Sequence, residues 1–252
     1  MRGIFFGSSP LVAEIVNKTI QLDTIIIESH LFTKEILDFS HYIDAELVSV
    51  ESVEEILKVP NQDLIGISCG FGLKFSREVI DLFSQGILNI HTGDLPSYRS
   101  RHPISWAMIK GESKIGITIH KIDEQIDCGY LVHKFFVERL FFDDLTNVEK
   151  KIEAALIDEF PKAIEKLTNN DFTKLQDGIY LNRIDKVFAN VDPCKMQSKQ
   201  LFSLFRSQKI YGGVNILGKN RTRCHIYKKA FDAYFHGYDI YQCSDDVLVA
   251  IK

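Results

Sequence analysis

The chain lacks any C-x-x-C pair, and its five cysteines, Cys69, Cys128, Cys194, Cys224 and Cys243, are odd in number. That excludes a complete disulfide frame and the usual zinc spacing, and it points to free thiols in a reducing compartment. No apolar run approaches the roughly 20 residues of a membrane helix. The apolar start Gly3–Gly7 is broken at once by Ser8, Ser9 and Pro10, too soon for a signal peptide. The expectation is therefore a cytoplasmic protein with no membrane partner. A basic excess is also missing. Thirty Lys and Arg stand against 34 Asp and Glu, for a net charge of -4, which argues against a general nucleic-acid binder. No internal repeat or low-complexity tract occurs.

What is there is a regular alternation of short apolar runs and amphipathic ones over 252 residues. Strands are expected at 3–7, 24–27, 45–50, 64–68 and 87–90, with helical spacing at 11–20, 31–39, 53–57 and 79–83 between them. Continuous apolar strands separated by helices predict a parallel sheet covered on both faces, built by right-handed crossovers. Beyond Pro103 the pattern gives a helix at 104–110, strands at 115–122 and 130–137, and a long helix at 145–167. From about Asn170 the texture changes to short strand-like runs, with a helix at 198–206. Aromatics are dense there (Tyr211, Tyr227, Phe231, Tyr234, Phe235, Tyr238, Tyr241) and turn signals such as Gly212-Gly213 recur. The fold class is α/β, an open and mostly parallel Rossmann-like sheet with helices on both faces, plus a small β-rich C-terminal appendage. The expected domains are 1–168, the catalytic one, and 169–252.

Chemistry concentrates between Leu88 and Leu131, LNIHTGDLPSYRSRHPISWAMIKGESKIGITIHKIDEQIDCGYL. Asn89 and His91 are two apart on a strand, so both side chains leave the same face. They lie at its carboxyl end, where open α/β sheets place ligands. Thr92, Gly93, Asp94, Leu95 and Pro96 then turn the chain away. Taken alone, a strand-end histidine serves equally well as a hydrogen-bonded structural residue, and Asp127 reads as a loop cap.

The wider pattern is more specific. Asn89-Ile90-His91, Leu95-Pro96, Tyr98-Arg99 and Asp127-Cys128-Gly129 resemble the folate-dependent formyltransferases, whose members carry Asn-x-His, Leu-Pro, an aromatic-Arg-Gly and a later Asp-x-Gly. The resemblance runs from Met1 to about Leu167 and takes in the FFGSSP turn and the loop DLIGISCGFGLKFSREVI. Ser100 departs from it, standing where the family commonly has glycine. The resemblance implies that Asn89, His91 and Asp127 are catalytic. The residue types suit that work. An amine attacking a formyl carbon creates an oxyanion, to which an Asn89 amide N–H and a protonated His91 can donate. Removing one such donor typically costs about 3–4 kcal/mol. Asp127 can orient the imidazole and help move the proton. No metal is required.

The same resemblance implies N10-formyltetrahydrofolate as formyl donor. It would be held near Gly70, Phe71, Gly72, Leu73, Phe75, His120 and Asp123, although the apolar members of this set also read as core packing and His120 faces either the site or the core. For the acceptor it implies contacts from Ser8, Thr92, Tyr98, Arg99 and His102. The phrases NIHTGDLP and GITIHKIDEQID look most like the sugar N-formyltransferases. Those act on nucleotide-linked amino deoxysugars such as dTDP-4-amino-4,6-dideoxyglucose, on the way to surface polysaccharide (O-antigen of lipopolysaccharide). A homodimer follows from the same likeness, with no nucleic-acid partner. Methionyl-tRNA formyltransferase and formyltetrahydrofolate hydrolase are the alternatives. The first is disfavoured because no basic, Gly-rich insertion follows the second strand.

Overall fold

The computed structural model describes residues 1–59, 64–227 and 234–252. The chain forms two compact units that do not follow its linear order. The first comprises Met1–Ser97, Gly116–Phe135 and Ile152–Gly178; the second comprises Tyr98–Ile115, Phe136–Lys151 and Ile179–Lys252.

The first unit is built on a sheet. Its strands are β1 (Arg2–Phe6), β2 (Gln21–Glu28), β3 (Glu46–Val50), β4 (Ile65–Ser68), β5 (Ile87–His91), β6 (Lys114–Lys121), β7 (Tyr130–Glu138) and β8 (Thr173–Lys174). Their order is β3-β2-β1-β4-β5-β6-β7-β8. The first five pair in parallel. At β5 the direction reverses, and β6 pairs with it antiparallel. The expected α/β fold with a mostly parallel sheet is thus present. The strand bounds agree with the apolar runs to within a few residues, as expected where β-branched stretches are closed by turn residues.

Helix starts are set by local chemistry. α1 (Pro10–Asn17) begins with Ser9 accepting from the Val12 amide at 3.3 Å and proline at its first position. Thr33 caps α2 (Lys34–Tyr42) and Ser76 caps α3 (Arg77–Asp81) in the same way. The expected helix at 53–57 is a 3-10 turn, Val53–Lys58. Ile4, Phe6, Ile26, Ile56, Val79 and Ile87 are fully or almost fully buried in one cluster. Each contributes about 1.5–3 kcal/mol by leaving water.

The second unit gathers α4 (Pro103–Lys110) against α7 (Ser198–Gln208), α6 (Ile184–Val187) lying between them in sequence. Between α4 and α6 runs the long α5 (Leu145–Thr168), whose first turns belong to this unit and the rest to the first. Ile109, Leu201, Leu204, Phe205, Val249 and Ile251 form its core. The C-terminal part is antiparallel: β9 (Val214–Ile216) with β10 (Lys219–Arg221), and β11 (Cys224–Tyr227) and β12 (Asp239–Gln242) on either side of β13 (Leu248–Ile251). This is the expected β-rich region. Phe231, one of its counted aromatics, lies outside the described residues. None of the five cysteines is in a disulfide. Among the described residues no helix is long and apolar enough to cross a membrane.

Candidate active site

Strand β5 carries Ile87-Leu88-Asn89-Ile90-His91 between two buried neighbours. Leu88 and Ile90 point to one face. Asn89 and His91 point to the other, as period-2 alternation requires. Antiparallel pairing sets His120 opposite Asn89 and Thr118 opposite His91. Four polar side chains of β5 and β6 therefore share one face of the sheet.

His91 is 6% exposed. Asp127 Oδ1 lies 3.3 Å from His91 Nδ1. The carboxylate is brought there by an unusual backbone: Asp127 has φ of 54° and Gly129 has φ of 100°. Aspartate tolerates the left-handed region better than most residues, and the second position needs glycine. A side chain at Gly129 would also run into the Lys121 carbonyl oxygen. The Asp-x-Gly pattern thus has a steric reason as well as a chemical one.

Asn89 Nδ2 is 3.2 Å from His120 Nε2, and His120 Nδ1 is 2.8 Å from the Cys128 carbonyl oxygen. His120 is fully buried. Burial pushes its imidazole down to about 3, with His91 adding to the effect. The His91 and His120 rings meet edge to face at 6.4 Å.

The turn after β5 is pinned from β6 and β7. The Leu95 amide donates to Thr118 Oγ1 at 3.0 Å, and that hydroxyl donates to the Gly93 carbonyl at 2.8 Å. Lys134 reaches Asp94 Oδ1 at 2.6 Å and the Leu95 carbonyl at 2.5 Å. The Leu95–Pro96 peptide is cis. Thr118 and Lys134 were absent from the sequence expectations. The signal for Thr118 is its register opposite His91, which only the strand pairing discloses.

The loop from Cys69 to Phe75 follows β4. Gly70 is exposed, with φ of 69° and open space where a Cβ would stand. The Gly72 amide donates to Glu28 Oε1 at 2.8 Å. Phe71 and Phe75 stack at 5.4 Å and both lean on Phe6. With Leu73 they are partly buried against the core cluster. They thus combine core packing with an accessible apolar surface. Asp123 accepts from the Gln125 amide at 2.9 Å and from Lys174 at 2.8 Å. Burial raises its carboxyl, but Lys174 and the amide outweigh that and hold it below the usual range. Ser8 and Thr92 are half-buried in the turns that follow β1 and β5.

Tyr98, Arg99 and His102 belong to the second unit. The Tyr98 hydroxyl donates to Glu112 at 2.6 Å, and Lys110 lies over its ring at 4.9 Å. Arg99 forms a β-bridge with Tyr180. His102 Nδ1 accepts from the Ile184 amide at 3.2 Å. Burial lowers its imidazole from the ordinary value.

Residues 25–164, more than half of the chain, match the formyl transferase family. The chain belongs to that family. Among curated members, it is 30% identical over 176 residues to a methionyl-tRNA formyltransferase of Caldicellulosiruptor saccharolyticus, covering 68% of this chain and 55% of the relative. One from Clostridium beijerinckii is 32% identical over 143 residues, covering 55% and 46%. The chain spans about half the length of these relatives. Two solved formyltransferases share the fold throughout. The sugar 3N-formyl transferase WlaRD, determined in the presence of dTDP and 5-N-formyl-THF, has a TM-score of 0.71 at 17% identity, with 100% of this chain and 97% of that one covered. The N-formyltransferase of Helicobacter canadensis, in complex with folinic acid and dTDP-3-aminofucose, has a TM-score of 0.68 at 18% identity, covering 100% and 99%.

Proposed function

We propose that this formyl transferase family member moves a formyl group from N10-formyltetrahydrofolate to the amine of a nucleotide-linked amino deoxysugar, for surface polysaccharide. The observation that carries the reading is that Asn89 and His91 share one sheet face at the carboxyl end of β5 and the Asp127 carboxylate, from the loop after β6, comes within 3.3 Å of the His91 imidazole.

The donor's pterin needs an apolar wall and a close backbone approach. The accessible Phe71–Phe75 stack and the exposed left-handed Gly70 turn fit it. When bound, this donor supplies an activated one-carbon carbonyl. The chain's residues do the rest. Asn89 Nδ2 donates a hydrogen bond toward the developing negative charge. The His91 ring, with Nδ1 turned to Asp127, donates or receives a proton at Nε2. The carboxylate fixes the ring's orientation.

The likeness of fold to two sugar-modifying enzymes supports a sugar acceptor: WlaRD was determined in the presence of dTDP and the H. canadensis enzyme in complex with dTDP-3-aminofucose. The absence of a basic excess points the same way. A second reading, methionyl-tRNA formylation, is favoured by the 30% identity to the C. saccharolyticus relative. An acceptor screen decides between them. The protein is mixed with formyl-tetrahydrofolate and, separately, dTDP-4-amino-4,6-dideoxyglucose, its 3-amino isomer, GDP-perosamine, glycinamide ribonucleotide, charged initiator tRNA or water. Tetrahydrofolate release and a one-formyl mass gain are followed. Turnover with an amino sugar supports the proposal. Turnover with tRNA or water alone overturns the acceptor.

A further inference from the structure

His120 is the one imidazole of the site face that is fully buried, and both of its nitrogens meet protein atoms. The Cys128 carbonyl can only accept, so Nδ1 must carry a proton. In a neutral ring Nε2 then has a lone pair and no hydrogen, and the group facing it must donate. Asn89 therefore turns Nδ2 toward His120, not Oδ1. Amide flips cannot ordinarily be read from heavy atoms alone, but this two-bond chain admits one flip. The deep burial of the ring keeps it neutral well below working pH.

We propose that His120 is a positioning residue for the formyl-transfer site: its bond from Asn89 fixes Nδ2 as the group whose second N–H serves the reacting carbonyl. A flipped Asn89 would place a carbonyl oxygen where that donor belongs, and negative charge developing there would be repelled. The same ring ties Asn89 to the residue after Asp127, so the amide and the catalytic carboxylate are set from one anchor.

The inference rests on the formyl-transfer reading for its effect on rate, but the bonding is tested without it. In the ligand-free protein, long-range nitrogen–proton NMR of the imidazoles should show His120 Nε2 as an unprotonated ring nitrogen and Nδ1 as a protonated one, unchanged from pH 8 to pH 5. The opposite tautomer, or titration near the ordinary histidine value, overturns the proposal whatever the protein's substrate.

Kinetics with formyl-tetrahydrofolate and the best acceptor of the screen then test the consequence. H120F, which keeps bulk but offers no acceptor, should lose about tenfold to a hundredfold in kcat with little change in the donor KM, since one charge-directed donor is misplaced. H120Q, whose side-chain oxygen can reach the Nε2 position, should recover most of that loss. Wild-type kcat in folded H120F, or equal losses in both variants, would show a merely space-filling role. If H120F does not fold, H120Q and the NMR spectra still decide. If wild type turns over no acceptor, the functional reading fails while the tautomer result stands.

Discussion

Asp127 and Gly129 occupy left-handed backbone two residues apart, at φ of 54° and 100°, and this kinked step delivers the Asp127 carboxylate to His91. The chemistry and the sterics of this step can be separated by substitution.

The chemical half is tested by N89A, H91A and D127N. Each should lower kcat/KM by about a hundredfold or more while circular dichroism and melting temperature stay near wild type. Asparagine also tolerates the left-handed region, so D127N removes charge without adding backbone strain. Full activity in H91A would remove His91 from the mechanism.

The steric half is tested by G129A. A methyl there meets the Lys121 carbonyl and must hold φ of 100°. The expected cost is about 2 kcal/mol or more, read by urea denaturation. An unchanged midpoint would mean that the loop simply relaxes.

Thr118 offers a test of the turn after β5. Its buried hydroxyl serves both the Leu95 amide and the Gly93 carbonyl. T118V keeps the shape and leaves two buried backbone groups unpaired, at about 1–3 kcal/mol each. Denaturation should register the loss, and kcat should fall because the turn carrying Thr92 to Asp94 is no longer fixed.

Acid should destabilise the protein through His120. Its folded-state value is lowered to about 3, against about 6.5 for an ordinary histidine. The unfolded chain therefore binds a proton that the folded one refuses. The stabilisation is present above about pH 6.5 and declines as pH falls from there toward 3. The slope is up to about 1.4 kcal/mol per pH unit. The wild-type minus H120Q difference in unfolding free energy, followed from pH 7 to pH 4, isolates this term. A flat difference would contradict a deeply buried neutral ring.

Much of the first unit was legible in the sequence because its signals are local. The apolar runs expected as strands at 24–27 and 64–68 lie within or at Gln21–Glu28 and Ile65–Ser68. Asn89 and His91 could be placed on one face from their spacing alone. What escaped depends on pairing between distant segments. Thr118 and His120 acquire their partners only once β6 lies antiparallel to β5. Lys134 meets Asp94 across 40 residues. Thr173–Lys174 is too short to show periodicity and is a strand only because β7 lies beside it. The bond from the Tyr98 hydroxyl to Glu112 likewise appears only with the fold. The second unit collects three separated stretches of chain, an assembly no linear reading of composition discloses.

The reversal of direction at β5 gives the site a parity. Asn89, His91, Thr118 and His120 share a face only because β6 meets β5 in one register, and a slip of a single residue would send Thr118 and His120 to the opposite face. Length changes within β6 are then tolerated in twos and not in ones. The connection between the strands carries no such parity: its residue count is limited by what the pinned turn and α4 need, while the count along the strand itself stays locked to even steps.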